Sequence, residues 1–358
     1  MHRRDSRARA RPRGGAARAD ALVSMMSETD QRDAAGPDNV TTPRAMRRVR
    51  ALALISAVAT YLLVVLGSTV RVSDSGMGCS SWPLCNGRIG PIDHLHPLLE
   101  QSHRYLATIV TVAVIALVVL TWRGGARMAQ VRTFSLLSLG VVVVQIVLGA
   151  ITVLTHNAPV TVAAHLIVGL LFLAAVTVTA VASFVDPARP WGRFNGDELA
   201  WASVAGLFVV LLSGSVVVDG GAEAACRSWP ACLASPSPTR LVSLQYVHRS
   251  LVLVAAVLVV AYVVALWRDH RATAIVAAAL LAAQIVVGAF DAVLGAPAAL
   301  ADVHLALASA LWAVVTGALA RSGLTPMPTD AAGTRPATGT PEAKRRSTPV
   351  GGRHRSDS

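Results

Sequence analysis

Long apolar runs separated by short polar stretches dominate the middle of this 358-residue chain. Eight runs reach roughly 20 residues, the length at which a helix crosses about 30 Å of hydrocarbon. A segment inside a bilayer satisfies its own backbone groups only as a helix, so each run predicts one transmembrane helix. The predicted spans are about residues 51–71, 101–122, 131–154, 159–184, 198–218, 243–266, 272–294 and 299–321.

The overall composition agrees with a membrane location. Hydrophobic residues make up 54% of the chain, charged residues make up only 15%, and the mean hydropathy is +0.55. A water-soluble domain of this size needs more polar surface than that composition supplies. The predicted fold class is therefore an all-α integral membrane protein with eight transmembrane helices.

The net charge of +12 raises the question of a nucleic-acid partner, and the positions of the charges answer it. Arginines crowd residues 1–45 and 323–358, where Gly, Pro, Ser and Thr replace any apolar period. Such segments bury too little apolar surface to fold, so we predict two disordered basic tails. We expect membrane lipid around the helices and no nucleic-acid partner.

The short loops predict the orientation of the helices. Basic residues collect in cytoplasmic loops, and here they lie before the first span and after the second, fourth and sixth: RRVR at 47–50, Arg123, Arg127, Arg132, Arg189, Arg193, Arg268 and Arg271. With eight spans both termini are then cytoplasmic. The loops at about 72–100, 155–158, 219–242 and 295–298 face outward from the cell (plasma) membrane, and they carry few basic residues.

The chain repeats itself. CSSWPLC at 79–85 recurs as CRSWPAC at 226–232, a step of 147 residues, and QIVLGA at 145–150 recurs as QIVVGA at 284–289, a step of 139. A repeat of four helices leaves its two copies parallel in the membrane. We predict two tandem four-helix bundles, at 46–186 and 198–322, joined by a cytoplasmic linker at 187–197.

Single histidines lie within about the first two turns of spans two, four, six and eight: His103, His165, His248 and His304. These spans run in the same direction, which places the four imidazoles at a similar depth near the outer surface. One such histidine alone is usually a hydrogen-bonded core residue. Two matched pairs favour ligands, because ionisable groups inside a membrane are rarely kept without a task and facing histidines in a bundle bind haem iron.

All four cysteines lie in two outward loops. An oxidising compartment favours disulfides between close cysteines, so we predict the pairs Cys79–Cys85 and Cys226–Cys232. His94 and His96 lie near the first pair and leave a Cys-Cys-His-His zinc site as an alternative. The second half has the cysteines without those histidines, which favours the disulfides.

These motifs together resemble the haem A synthase family over about residues 46–322. The resemblance rests on a cysteine pair around Trp-Pro in each half, E-x-x-H-R at 100–104, HR at 248–249, and the histidines that open spans four and eight. It implies oxidation of the C8 methyl group of haem O to a formyl group, giving haem A for terminal oxidase assembly. It also implies haem O synthase as supplier, substrate haem in the N-terminal half, and a permanent haem b in the C-terminal half.

The repeat supports this division through one charged residue. Glu100 precedes His103 by three residues and shares its helical face, whereas Gln245 stands at the equivalent place before His248. A carboxylate there can accept a proton or stabilise developing positive charge, and the family associates this position with catalysis. We therefore predict that Glu100 is catalytic; a glutamate that merely favours the helix start is the alternative.

Three arginines are candidate partners of haem propionates, or residues that extend to the interface. They are Arg104, Arg249 and Arg71. Asp291 corresponds to Thr152 at the step of 139, and we assign it no catalytic role. The sequence does not indicate the electron acceptor.

Two other functions compete with haem oxidation. A plain two-haem electron carrier needs no Glu100. A quinone-linked thiol-disulfide oxidoreductase needs no intramembrane histidines, and its cysteines usually have the C-x-x-C spacing rather than the six-residue step found here.

Overall fold

The computed structural model describes residues 43–79, 81–87, 89, 94–185, 198–233 and 235–324. Within these ranges eight helices are long and apolar enough to cross a membrane, as predicted. They are α1 (Pro43–Val72), α2 (Leu95–Arg123), α3 (Ala129–Leu154), α4 (Pro159–Phe184), α5 (Glu198–Asp219), α6 (Thr239–Leu266), α7 (Arg271–Leu294) and α8 (Ala298–Leu324). A short 3₁₀ turn, Ala126–Met128, precedes α3. The chain is an all-α multi-pass membrane protein.

Three helices begin earlier than the apolar runs indicate. The first residues of α1, α2 and α6 are Pro43, Leu95 and Thr239, instead of about residues 51, 101 and 243. Backbone hydrogen bonding continues a helix into polar sequence beyond the hydrocarbon, so an apolar run underestimates helix length. Proline marks one of these starts, because the N–H that proline lacks has no partner in the first helical turn.

Each set of four consecutive helices forms a closed ring of contacts. In the first set α1 packs on α2, α2 on α3, α3 on α4, and α4 on α1; the second set repeats this order from α5 to α8. The two rings meet where α8 contacts α1 and α4, and where α4 contacts α5. The predicted linker at 187–197 and most of both predicted tails lie outside the described residues, so these domain boundaries stay predictions.

The main hydrophobic core runs through both rings, and α4 and α8 are the most buried of the eight helices. Trp312 of α8 connects the rings directly. Its indole N–H donates to the carbonyl of Leu170 in α4 at 3.1 Å, and its ring lies 5.4 Å from the ring of Phe208 in α5. Apolar side chains elsewhere remain exposed on the outer faces of the helices, as expected for surfaces that contact lipid.

Candidate functional site

The four predicted histidines lie on α2, α4, α6 and α8, and each is half-buried. His103 and His165 are close enough to interact electrostatically, and so are His248 and His304. The structure therefore brings the histidines together as the two pairs that the repeat predicted. Whether they ligate iron stays a prediction.

Their depth along the helices differs from the prediction for two of the four. His165 and His304 come six residues after the first residue of α4 and α8, which is about 9 Å of helix. His103 comes eight residues after Leu95, about 12 Å into its helix, in the third turn. His248 lies similarly deep in α6. The early starts of α2 and α6 account for this difference.

A glycine of the preceding helix faces each imidazole. A Cβ atom built on the glycine would lie 3.0 Å from the Cε1 atom of His103, 3.1 Å from that of His165, 3.4 Å from that of His248 and 2.6 Å from that of His304. The four glycines are, in the same order, Gly67, Gly149, Gly214 and Gly288. A side chain at the tightest of these positions would displace the ring.

Glutamine side chains approach one imidazole of each pair. The side-chain N–H of Gln145 donates to Nε2 of His165 at 3.2 Å, and Gln284 makes the same contact with His304 at 3.2 Å. With this amide orientation Nε2 accepts the hydrogen bond through its lone pair, and an iron bound at Nε2 would replace the glutamine contact. Within the described chain, Nδ1 of both histidines is buried without a hydrogen-bond partner.

These observations fit a haem held by two histidines in each half. The imidazoles are paired, glycines allow their rings close to the neighbouring helix, and buried ring nitrogens have unused hydrogen-bonding capacity. The glycines and glutamines were not predicted from the sequence. Their signal was present, because QIVLGA and QIVVGA contain one Gln and one Gly each, and Gly67 and Gly214 are separated by the same 147 residues as Cys79 and Cys226.

Glu100 lies between the first histidine helix and the first cysteine loop. Its side chain is only 6% exposed. One carboxylate oxygen accepts from Nη2 of Arg104 at 2.5 Å, and the other accepts from the backbone N–H of Cys79 at 2.8 Å. Gln245 bonds differently: its amide donates to two backbone carbonyls, those of Ala222 and Glu223. The two halves therefore differ here in charge and in direction of hydrogen bonding.

Two of the candidate arginines hold the cysteine loops. Nη1 of Arg104 donates to the carbonyls of Ser81 at 2.7 Å and Pro83 at 3.3 Å. Arg249 makes the matching bonds to Ser228 at 2.6 Å and Pro230 at 3.2 Å, and a third bond to the carbonyl of Cys226. Binding of propionates by these arginines stays a prediction.

The third arginine joins the two rings of helices. Arg71, at the end of α1, forms an ion pair with Asp219 at the end of α5, and Ser215 also donates to this carboxylate. Nearby, the hydroxyl of Thr69 donates to Asp302 of α8 at 2.7 Å. Arg71 thus has a structural partner, Asp219, that was not predicted from the sequence.

The predicted disulfides are present. Cys79 pairs with Cys85 and Cys226 pairs with Cys232, with Cα–Cα distances of 4.6 and 5.4 Å. Paired cysteines are not available as thiolate ligands, so the alternative zinc site is wrong. Among the described residues no group of three His, Cys, Asp or Glu side chains is arranged to hold a metal ion.

His94, His96 and Asp291 lie outside the two histidine pairs. Nδ1 of His96 is hydrogen-bonded to the hydroxyl of Ser75 at 2.8 Å. His94 is the residue that precedes α2, and its side chain makes no capping hydrogen bond. Asp291, on α7, has one buried carboxylate oxygen without a partner in the described chain. It lies one helical turn beyond Gly288.

Comparison with known proteins places these features in a wider group. Residues 50–97 and 93–316 match the family described as Cytochrome oxidase assembly protein. A Heme A synthase of Geobacillus thermodenitrificans is 30% identical over 229 residues, covering 61% of this chain and 71% of that protein. A Heme A synthase of Lysinibacillus sphaericus (strain C3-41) is 30% identical over 206 residues, covering 53% and 66%.

A relative with slightly lower identity matches a similar share of this chain. A Heme A synthase of Bacillus licheniformis is 28% identical over 192 residues, which cover 52% of this chain and 64% of that protein. The chain therefore matches just under two thirds of the length of several of these relatives.

Proposed function

Because this chain belongs to the haem A synthase family of cytochrome oxidase assembly proteins, we propose that it is an oxidoreductase that converts haem O into haem A. The reaction oxidises the C8 methyl group to a formyl group, and the product serves terminal oxidase assembly. The observation that supports this proposal best is an asymmetry between matched sites. Both halves have a glycine-backed histidine pair, but three residues before the first histidine of the pair the first half has a buried carboxylate, Glu100, and the second half has a buried amide, Gln245.

We assign the substrate to the first half. His103 and His165 would hold haem O, and His248 and His304 would hold the resident haem b. When bound, haem b supplies one-electron redox chemistry. The chain's own residues position the groups: glycines admit the imidazoles, and Arg104 and Arg249 fix the cysteine loops over the two sites.

The contacts of Glu100 favour an electrostatic role over proton transfer. A methyl group that becomes a formyl group gives up four electrons, so positive charge develops at the reacting carbon. Both oxygens of Glu100 already accept hydrogen bonds, from Arg104 and from Cys79. Taking up a proton would weaken one of these bonds, whereas stabilising a nearby positive charge disturbs neither.

The positions of the basic residues support one orientation. We propose that the ends of the helices that bear the cysteine loops face outward from the plasma membrane, and that both termini are cytoplasmic. The cysteine disulfides agree with an oxidising outer side.

Chromatography of the extracted haems tests the proposed function. The protein is purified from a host that supplies haem O, and each haem type is quantified. We expect haem b together with haem O or haem A, and haem A formation that depends on this chain. His270→Ala is a matched control, because His270 precedes α7 and lies outside both histidine pairs.

Two results would contradict the proposal. Haem b without any conversion of haem O would indicate the two-haem electron carrier. Protein that contains no haem would remove haem chemistry altogether.

A further inference from the structure

His248 differs from the other three histidines because a side-chain hydroxyl contacts its Nδ1 atom. Oγ of Ser213, on α5, lies 2.8 Å from that nitrogen. The same Oγ donates to the backbone carbonyl of Val210 at 2.8 Å. A hydroxyl has one hydrogen, so both bonds form together only if Nδ1 carries the proton and Ser213 accepts it. Nε2 of His248 is then left with the lone pair that binds a metal.

The first half lacks this hydroxyl. The cysteine loops are 147 residues apart, and 213 − 147 = 66, so Leu66 occupies the position of Ser213. The carbonyl of Leu63, which corresponds to that of Val210, faces the ring of His103. Nδ1 of His103 is buried, and within the described chain no side chain forms a hydrogen bond with it. The ring of His103 is therefore packed against the backbone of α1, and it lacks a side-chain partner of the kind that Ser213 provides to His248.

The difference has a known consequence for metal binding. A hydrogen bond to the second ring nitrogen fixes the tautomer and orientation of a histidine ligand and makes it more basic. Removing such a partner typically weakens metal affinity by about 10–100-fold. A resident haem benefits from a strongly held ligand. A substrate haem must enter and leave, and a weaker ligand permits this.

We propose that Ser213 is a positioning residue that locks His248 as a tight ligand of haem b, and that Leu66 leaves His103 a weaker ligand for an exchangeable haem. The proposal rests on the assignment of haem b to the second half. The hydrogen bond with Ser213 would let the second half retain its haem, and its absence in the first half would let that half release its haem. The Ser213–His248 contact supports the proposal, together with the lack of a side-chain partner for Nδ1 of His103 among the described residues.

Haem loss and redox potential test the proposal in the whole protein. Purified Ser213→Ala is mixed with an excess of a haem-scavenging protein, and loss of haem b is followed by its absorbance. We expect dissociation at least about tenfold faster than in the parent protein. The midpoint potential of haem b should also rise, because a less basic imidazole stabilises ferric iron less.

Two further variants on α5 separate this role from general packing. Ser213→Thr keeps the hydroxyl and should restore slow haem loss and the parental potential. Ser215→Ala removes a hydroxyl that donates to Asp219 instead of a histidine, and both quantities should stay unchanged. Loss rates and potentials for Ser213→Ala equal to those of the parent would overturn the proposal, as would a Ser213→Thr protein that behaves like Ser213→Ala.

The reciprocal change addresses the first half. Leu66→Ser places a hydroxyl beside His103, and we expect haem O or haem A to be retained through purification at least several-fold more than in the parent. Retention equal to the parent's would overturn the part of the proposal that concerns Leu66. These outcomes differ from failure of the proposed function. A parent protein that binds haem b but makes no haem A would refute the proposed reaction. The haem-loss rates of the Ser213 variants would still test the proposed role of Ser213 in that case.

Discussion

At the scale of single residues, the unusual feature of each site is what lies beside the histidine. A glycine is in contact range of every ring, a glutamine approaches two of the rings, and a serine approaches one. These neighbours decide how near a ring can lie to the adjacent helix and which of its nitrogens has a free lone pair.

Gly288→Ala should disturb the haem b site. The new Cβ would lie 2.6 Å from Cε1 of His304, which is too close for the ring to stay in place. The helix itself should gain about 1 kcal/mol, because alanine favours a helix interior over glycine. Loss of haem b would therefore report the displaced histidine. The measurement is haem b per protein together with its absorption spectrum.

Gly214→Ala is the matched control for this change. Its Cβ would lie 3.4 Å from Cε1 of His248, an ordinary van der Waals distance in the same half of the molecule. Equal haem b content in the two variants would show that the close approach at Gly288 is unimportant.

Glu100→Gln should stop haem A formation without unfolding the protein. The two side chains have nearly the same volume, and the amide oxygen of glutamine can still accept from the N–H of Cys79. The charge next to Arg104 is lost, and loss of a preorganised charge at a reacting centre slows a reaction by roughly a hundredfold or more. Extraction of haems O and A from membranes supplied with haem O measures this effect.

Haem b per protein is the folding control for Glu100→Gln, because Glu100 lies outside the proposed haem b site. Nearly normal haem A in this variant would remove Glu100 from the catalytic assignment.

At the scale of structural elements, the cysteine loops are the parts most firmly tied to the histidine helices. In each half an arginine that directly follows the histidine donates to two carbonyls of the loop. The further bonds differ: the N–H of Cys79 in the first loop donates to the carboxylate of Glu100, whereas in the second loop the carbonyls of Cys226 and Cys232 accept from Arg249 and Tyr246. A change in the first loop should therefore reach the proposed substrate site directly.

Cys79→Ser or Cys85→Ser should lower activity more than the same changes at Cys226 or Cys232. Without the disulfide the N–H of Cys79 is no longer held against Glu100, and the second loop has no such link to a carboxylate. The comparison is haem A formed per protein in the four variants. The opposite ranking would place the substrate in the other half.

Alkylation with and without a reductant checks the premise of this comparison. Intact protein should show none of its four cysteines labelled, and labelling should appear after reduction. Labelling of cysteines in unreduced protein would contradict the disulfides in the two loops.

At the scale of the whole molecule, two rings of four helices share a core and are connected near the cysteine loops by Arg71 with Asp219 and by Thr69 with Asp302. The contacts bring each histidine close to the other histidine of its own ring. Replacing a histidine ligand in one ring of helices should therefore leave the haem of the other ring bound.

His248→Ala or His304→Ala should remove most of the haem b, whereas His103→Ala or His165→Ala should leave much of it bound. The reason is that each variant loses an iron ligand in only one ring. Haem b per protein in all four purified variants tests the division. Equal depletion by the four changes would show that the halves do not act separately.

Patterns along the chain were enough to predict the eight helices, the paired cysteines and the pairing of the histidines. Each of these follows from a local or repeated pattern: an apolar run long enough for a bilayer needs a helix, cysteines six residues apart reach each other, and repeated motifs recur at equivalent places. Hydropathy misjudged where α1, α2 and α6 begin, since it does not report how far backbone hydrogen bonding extends into polar sequence.

The groups that surround the candidate site residues depend on the packing of the helices and could not be predicted from the sequence. The bonds of Glu100 to Cys79 and of Arg71 to Asp219 join residues separated by 21 and 148 positions. The hydroxyl of Ser213 reaches His248 across 35 positions. Such contacts depend on how helices rotate and cross when their side chains pack, and that arrangement is set by the whole fold rather than by any local pattern.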